Sequence, residues 1–413
     1  MAENSQPDHL TAPKPPIPEP LRALEPGTFT RYSVVERLPE IGRRVIEEDA
    51  FPPAIVSRLE GLIEGIPDSP IRTLSSDSAP DVRDWARYVA PHLGQNWLQV
   101  PWFFAENYFY RRILEATRYF ERGLYFHADP FEEQKRQGLQ SSRPGIESLS
   151  MRVNRWIEAP DWDAFAHLLS LILWGNQADL SLWPANSSEK PDHQDFEQRQ
   201  AHVVVDATDS LVAYLSSRAL PANRIDIIPD NAGFELICDL ALADFLLSAG
   251  WANTVFMNLK AYPTFVSDAM IKDVNETLTF LSSAFHPDHT RVFADRLTGF
   301  LEEGRLLLEN HVFWNSPLPG WDMPESLRQD FSESDLAIFK GDANYRRLLG
   351  DRHWPFTTPF ADVVGYFPAP LVCLRVAKSE VAIGVAPGQP ERLAQVDPKW
   401  VYDGKWGMIQ FFA

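Results

Sequence analysis

Cysteine is scarce: 413 residues contain two, Cys238 and Cys373. That number excludes a disulfide framework, and the pair lacks metal-ligand spacing, so both are expected as core thiols. Long apolar runs are missing as well. No stretch reaches the ~18 residues of a membrane span, and the N-terminus has neither a basic segment nor an apolar one of the kind that directs secretion. A soluble cytoplasmic protein, or one also found in the nucleus, is expected, with no membrane partner. Positive charge is under-represented, 38 Lys and Arg against 57 Asp and Glu, for a formal net charge of -19. Phosphate backbones are met with clustered Lys and Arg, so nucleic acid is not expected as a partner. Several catalytic signatures are also absent: no Gly-x-Ser-x-Gly turn, no Walker-type glycine-rich loop, no His-Glu-x-x-His. His286 and His289 have the look of a zinc fragment, but without a further ligand pair they are expected as ordinary loop histidines.

What is present begins with proline. Pro7, Pro13, Pro15, Pro16, Pro18, Pro20 and Pro26 punctuate residues 1–26, which have few large apolar side chains, so an extended arm is expected there. From Tyr32 the periodicity turns helical. Val35, Leu38, Ile41, Val45 and Ile46 share one face, as do Ile55, Leu59, Leu62 and Ile63. Further helices are expected near Trp85–Gly94, Trp102–Phe120 and Phe165–Trp174, the last capped by Gly175. Within Trp102–Phe120, Glu106 and Arg111 flank an aromatic stripe, either as a polar pair in a cleft or as an exposed ion pair on a packed helix. Asn176 and Asp179 follow on a loop, where polar groups face ligand as readily as solvent. Residues 27–195 are therefore expected as a helical domain, ending in the charged stretch Glu189–Gln200.

Residues 196–413 follow another grammar. After a helix expected over Val203–Ser217, apolar strands alternate with helices, the pattern of a layered α/β domain. Ile225, Ile227 and Ile228 suit a buried strand, and Pro229 ends it where Asp230 and Asn231 appear. Gly233 and an apolar helix over Glu235–Ala249 come next. Thr254–Leu259 is a second strand and delivers Lys260, Ser267 and Asp268. Asp335–Phe339 delivers Lys340 and Asp342. Pro370–Leu374 delivers Arg375 and Lys378, and Lys405 precedes a last strand at Trp406–Phe411.

If these strands are neighbours, one sheet edge gathers Asp230, Asn231, Asp268 and Asp342 beside Lys340, Arg375, Lys378 and Lys405. Hard oxygen donors suit a small divalent cation, and Lys and Arg suit phosphate oxygens. The combination describes metal-assisted phosphoryl chemistry better than a nucleophilic triad. Each piece has a plainer account: a turn, a helix cap, or a cation at the end of an edge strand. Their recurrence at four strand ends favours function.

Four motifs together are similar to the damage-control phosphatases, in the branch of acidic-residue methyltransferase-like proteins and sugar-phosphate phosphatases. They are Pro229–Glu235, Pro263–Asp268, Lys340–Tyr345 and the Arg-x-x-Lys of Arg375–Lys378, and Trp174-Gly175-Asn176 with Asp179-Leu180-Ser181 also fits. The resemblance implies a three-layer α/β/α sandwich with an N-terminal all-helical domain. It implies a metal (Mn²⁺, Ni²⁺, Co²⁺ or Mg²⁺) held by Asp230, Asn231 and Asp268. Substrate contacts are implied from Arg375, Val376, Ala377, Lys378 and Lys405, with Glu235, Asn176 and Asp342 in support. The implied activity is hydrolysis of small phosphometabolites such as fructose 1-phosphate or fructose 6-phosphate. Asp230 and Asp268 are then the catalytic candidates, through the metal or by direct attack. One position departs from the resembled branch, which usually carries Arg-Thr-x-Lys, with Ser or Cys in place of Thr in some members, where this chain has Val376; a lost hydroxyl would remove one phosphate contact.

Two other functions compete. A carboxyl methyltransferase using S-adenosylmethionine would need a glycine-rich loop and a following acidic residue, and neither is found. A non-catalytic phosphometabolite-binding protein would not need the Asp230, Asn231 and Asp268 set.

Overall fold

The structure, a computed structural model, describes residues 11–75, 79–175 and 201–413. Seven strands form one sheet: β1 (Val203–Asp206), β2 (Ala222–Ile228), β3 (Ala252–Leu259), β4 (Leu306–Asn310), β5 (Leu336–Lys340), β6 (Leu371–Val376) and β7 (Gly407–Phe412). Their order across the sheet is β1-β7-β6-β5-β2-β3-β4. Strands β6, β5, β2, β3 and β4 are mutually parallel, whereas β7 runs antiparallel to β6 and β1 parallel to β7.

Central strands buried on both faces are apolar almost throughout, and their side chains alternate between two cores. Ile225, Ile227, Leu336, Ile338, Val372 and Leu374 enter one core with helices Arg143–Glu158, Trp162–Leu173 and Phe234–Ser248. Ile228, Ala337, Phe339, Leu371 and Cys373 enter the other, with helices Leu38–Glu48, Pro53–Glu64, Val82–Val89 and Trp102–Thr117. Helix Phe234–Ser248 is apolar on nearly all sides because it is enclosed on nearly all sides; every residue from Glu235 to Leu247 is buried. The protein is thus mixed α/β with helices on both sheet faces. Both cysteines are free and buried. No helix among the described residues is long and apolar enough to cross a membrane.

Three expectations need correction. Val203–Ser217 is not one helix: Val203–Asp206 is a strand paired with β7, and the helix runs Thr208–Ser216. Glu106 and Arg111 form neither an exposed pair nor a cleft pair. Both are buried with separate partners, Glu106 on Arg346 at 2.6 Å and Arg111 on Asp81 through two bonds of 2.9 Å. β6 is an internal strand, so Arg375 does not extend from an edge. From residue 11 the proline-rich segment lies against the rest of the protein and turns over residues 23–27: Leu21 and Ala23 are buried, Leu21 N donates to Asp351 O at 2.9 Å, and Trp102 N donates to Leu21 O at 2.8 Å.

Candidate functional site

The carboxyl ends of β2, β3, β5 and β6 share one sheet edge because those strands are parallel. The start of antiparallel β7 falls on the same edge, with Gly407 opposite Val376. Asp230 and Asn231 follow β2 directly. The loop after β3 folds back on them: Ala269 N donates to Asp230 O at 2.9 Å, Ala232 N donates to Ser267 O at 2.6 Å, and Asn231 pairs with Asp268 in an isolated bridge. Two loops distant in sequence thereby bring two carboxylates and an amide together. Phe265 and Val266 in that loop have φ of 45° and 68°, a sterically strained region for a β-branched residue. The Phe265 ring lies 5.0 Å from that of Tyr110 and 6.2 Å from that of Phe103, on the helix Trp102–Thr117.

Asn231 is gripped on both sides of its amide. Its Nδ2 donates to Asp230 Oδ2 and to Glu235 Oε2, each at 2.9 Å, and its Oδ1 accepts from Ser267 Oγ at 2.6 Å. Glu235 also meets the Lys340 ammonium at 3.4 Å, and Lys340 lies 3.6 Å from Asp239. Lys260, buried at the end of β3, places Nζ 3.4 Å from Asp268 Oδ2 and donates to Asn344 Oδ1 at 3.2 Å. Asn344 in turn donates to Pro229 O and Lys340 O, joining the ends of β2 and β5.

Charge is concentrated here without enough compensation. Burial, then repulsion from Glu235 and Asp268, raises the Asp230 carboxyl well above the ordinary range, against opposition from Lys378 and Lys260. Burial pushes Asp268 up to about 6, although Lys260, Lys135 and Arg347 oppose it. Asp268 Oδ2 has no hydrogen-bond partner among the described residues. A buried carboxylate oxygen whose nearest cation is the Lys260 ammonium at 3.4 Å, with no hydrogen bond among the described residues and beside a second crowded carboxylate, fits a cation. Among the described residues no group of three or more His, Cys, Asp and Glu side chains is disposed to hold a metal. The oxygen donors gathered here are two carboxylates and one amide, a set that suits hard divalent ions keeping several waters.

Beside Asn231 opens a cavity of about 260 Å³, lined among others by Gln134, Ser142, Gly233, Glu235 and Ser267. It borders the first turn of the helix Phe234–Ser248, where free N–H groups favour an anion.

Other expected residues have different surroundings. Asp342 accepts from Arg375 Nε at 2.7 Å, Lys378 N at 3.2 Å and Ser379 Oγ at 3.0 Å. Burial opposes its charge, yet Arg375 and Arg346 hold its carboxyl below the usual range. Arg375 is wholly engaged, also donating to Val381 O and Ser379. Val376 is buried in the core on the side of Leu374, and Ala377 donates its N–H to Trp406 O. Lys378 is half-buried and electrostatically close to Asp230. Lys405 is two-thirds exposed and pairs with Asp403 at 2.5 Å. Asn176 lies outside the described residues.

The profile of the damage-control phosphatase ARMT1-like domain matches residues 33–393. Damage-control phosphatase ARMT1 of Danio rerio is 33% identical, the alignment covering 95% of this chain and 97% of that protein. The Mus musculus protein of that name is 32% identical over 95% and 98%, and the Homo sapiens one 31% over 96% and 98%. The chain belongs to the damage-control phosphatase ARMT1-like family. A crystal structure of a DUF89 family protein from Pyrococcus horikoshii aligns over 92% of this chain and 98% of its own at a TM-score of 0.45 and 14% identity.

Within this family member, some site residues escape sequence reasoning. Lys135 touches the Asp230–Asp268 cluster from a helix in which the sequence shows no motif, whereas Ser267 and Asn344 lie within expected motifs but their bonds to Asn231 and Lys260 are not foreseen there. Lys135 meets Asp268 across 133 positions of sequence. Ser267 is expected at this edge, but its bond to Asn231 depends on the pairing of the two loops, which sequence does not show.

Proposed function

We propose that this chain is a metal-dependent phosphatase acting on small phosphometabolites, with sugar phosphates such as fructose 1-phosphate or fructose 6-phosphate as the substrate class. The observation that supports the reading is the buried Asp230–Asp268 pair, whose carboxyls repel one another and whose Asp268 Oδ2, 3.4 Å from the Lys260 ammonium, has no hydrogen bond among the described residues, in a chain of the damage-control phosphatase family. Asp230, Asn231 and Asp268 would hold the ion. A divalent cation such as Mn²⁺, Ni²⁺, Co²⁺ or Mg²⁺ supplies Lewis-acid polarisation of the phosphoryl group and acidifies water.

The chain's own residues do the rest. Glu235 and Ser267 fix the Asn231 amide, so that its oxygen keeps one direction. The first-turn amides of the helix Phe234–Ser248 receive phosphoryl oxygens, and the Lys378 ammonium balances negative charge that builds on them. Lys405 joins only if its exposed side chain leaves Asp403. Arg375 and Asp342 shape the turn that presents Lys378, rather than reaching substrate themselves. The ester P–O bond breaks as oxygen from water bonds to phosphorus, and the sugar leaves as the alcohol. The finer architecture in this reading is a three-layer α/β/α body with an N-terminal helical domain, supported by cores on both faces of the sheet.

Substrate class is tested by phosphate release from sugar phosphates and from nucleotides, each with Mn²⁺, Co²⁺, Ni²⁺, Mg²⁺ or EDTA. Metal-dependent release favouring sugar phosphates is expected. Equal release from nucleotides would discard the substrate assignment.

A further inference from the structure

The loop carrying Asp268 is held from the far side of the sequence. Helix Glu132–Ser141 is polar along its length, and Lys135 is its one buried residue. A buried ammonium is tolerable only when its three donors find partners. Lys135 Nζ donates to the Asp268 carbonyl at 3.1 Å and to Asp273 Oδ2 at 2.9 Å, and lies 3.1 Å from Asp129 Oδ2. Asp273 Oδ2 also accepts from Met270 N at 2.8 Å. One ammonium therefore braces both ends of the segment from Asp268 to Asp273. The residues just before that segment, Phe265 and Val266, are those with left-handed φ. Strained backbone persists only where its surroundings over-determine it, and relaxation here would carry Asp268 away from Asp230.

We propose that Lys135 is a positioning residue for Asp268: its ammonium pins the Asp268 carbonyl, so the acidic arm of the site forms only when helix Glu132–Ser141 is docked. The metal reading of Asp268 given above is the one this inference builds on. It adds a requirement located in the N-terminal helical region, 133 positions away in sequence from Asp268.

Two variants separate positioning from plain stabilisation. Lys135→Met and Asp129→Asn both break the Lys135–Asp129 ion pair and both lower the melting temperature. Only the first removes the bond to Asp268 O. Amide hydrogen exchange on the metal-free protein is expected to quicken at least tenfold across residues 264–270 in Lys135→Met and to stay within twofold of wild type in Asp129→Asn. By calorimetry, Mn²⁺ affinity is expected to fall at least tenfold in Lys135→Met alone, with turnover recovering at saturating Mn²⁺. If Lys135→Met does not fold, Lys135→Gln carries the same comparison. Unchanged exchange over 264–270, or equal loosening in both variants, overturns the proposal. Wild type failing to bind Mn²⁺ would instead overturn the metal reading, and the exchange comparison would still decide the role of Lys135.

Discussion

Gly341 lies against Asp230 with no room for a side chain: a β-carbon there would stand 2.0 Å from Asp230 Oδ2. Gly341 also has φ of +81°, which L residues seldom adopt. The first residue after β5 thus shapes the position of the first acid after β2. Gly341→Ala is expected to displace the Asp230 carboxylate and lower kcat by about 100-fold, the scale of an ångström-sized misplacement at a reacting centre. Circular dichroism and steady-state phosphate release check this; a variant of wild-type activity would show that Asp230 can move without consequence.

Val376 stands where the family resemblance leads one to expect Thr. Its side chain is buried in the core with Leu374. Val376→Thr is therefore expected to leave KM for a sugar phosphate within about twofold and to cost roughly 1 kcal/mol of stability, because a hydroxyl enters an apolar site. A tenfold fall in KM would mean that position 376 faces substrate.

Asp239 is fully buried, with neither carboxyl oxygen hydrogen-bonded among the described residues, and burial raises its pKa to about 7 despite the neighbouring Lys340. The folded protein holds this proton more tightly than the unfolded chain, whose Asp titrates near 3.8. The sign follows: stability contributed by the protonated form is present at low pH and is lost as pH rises from about 4 to about 7. Denaturant titrations at pH 5 and pH 7 should show wild type losing about 2 kcal/mol more than Asp239→Asn over that interval. An identical pH slope in both proteins would count against a raised Asp239.

Arg346 joins the helix Trp102–Thr117 to the segment after β5. It bonds Glu106 at 2.6 Å and Asp351 at 2.7 Å, and lies over the Trp102 ring at 3.7 Å. Removing one partner of a buried pair leaves an uncompensated charge, so Glu106→Ala is expected to cost about 3 kcal/mol. Chemical unfolding measures it, and a loss below 1 kcal/mol would show the junction to be slack.

Much of the sheet was legible because apolar runs at β2, β3, β5 and β6 are followed by polar groups and the run at β7 is preceded by them. Given neighbouring strands, that pattern groups Asp230, Asn231 and Asp268 with Asp342; the narrower set of three comes from the family resemblance. Strand β1 was hidden because Val203–Asp206 flows through one residue into a helix whose Leu211 and Leu215 extend the apolar pattern. Strand β4 has only five residues, close behind the helix Asp288–Glu302. The ion pairs were illegible for a different reason. Glu106 finds Arg346 across 240 positions and Lys135 finds Asp273 across 138, distances over which periodicity carries no information. The antiparallel course of β7, which sets Gly407 opposite Val376, was likewise invisible.

The most direct measurement is phosphate release from fructose 1-phosphate by wild type and by Asp268→Asn, each with Mn²⁺ and after EDTA. Release by wild type that requires Mn²⁺, together with at least a hundredfold loss in a folded Asp268→Asn, is the predicted result. Release that persists in EDTA, or that Asp268→Asn leaves intact, would contradict a metal-dependent phosphatase centred on these carboxylates.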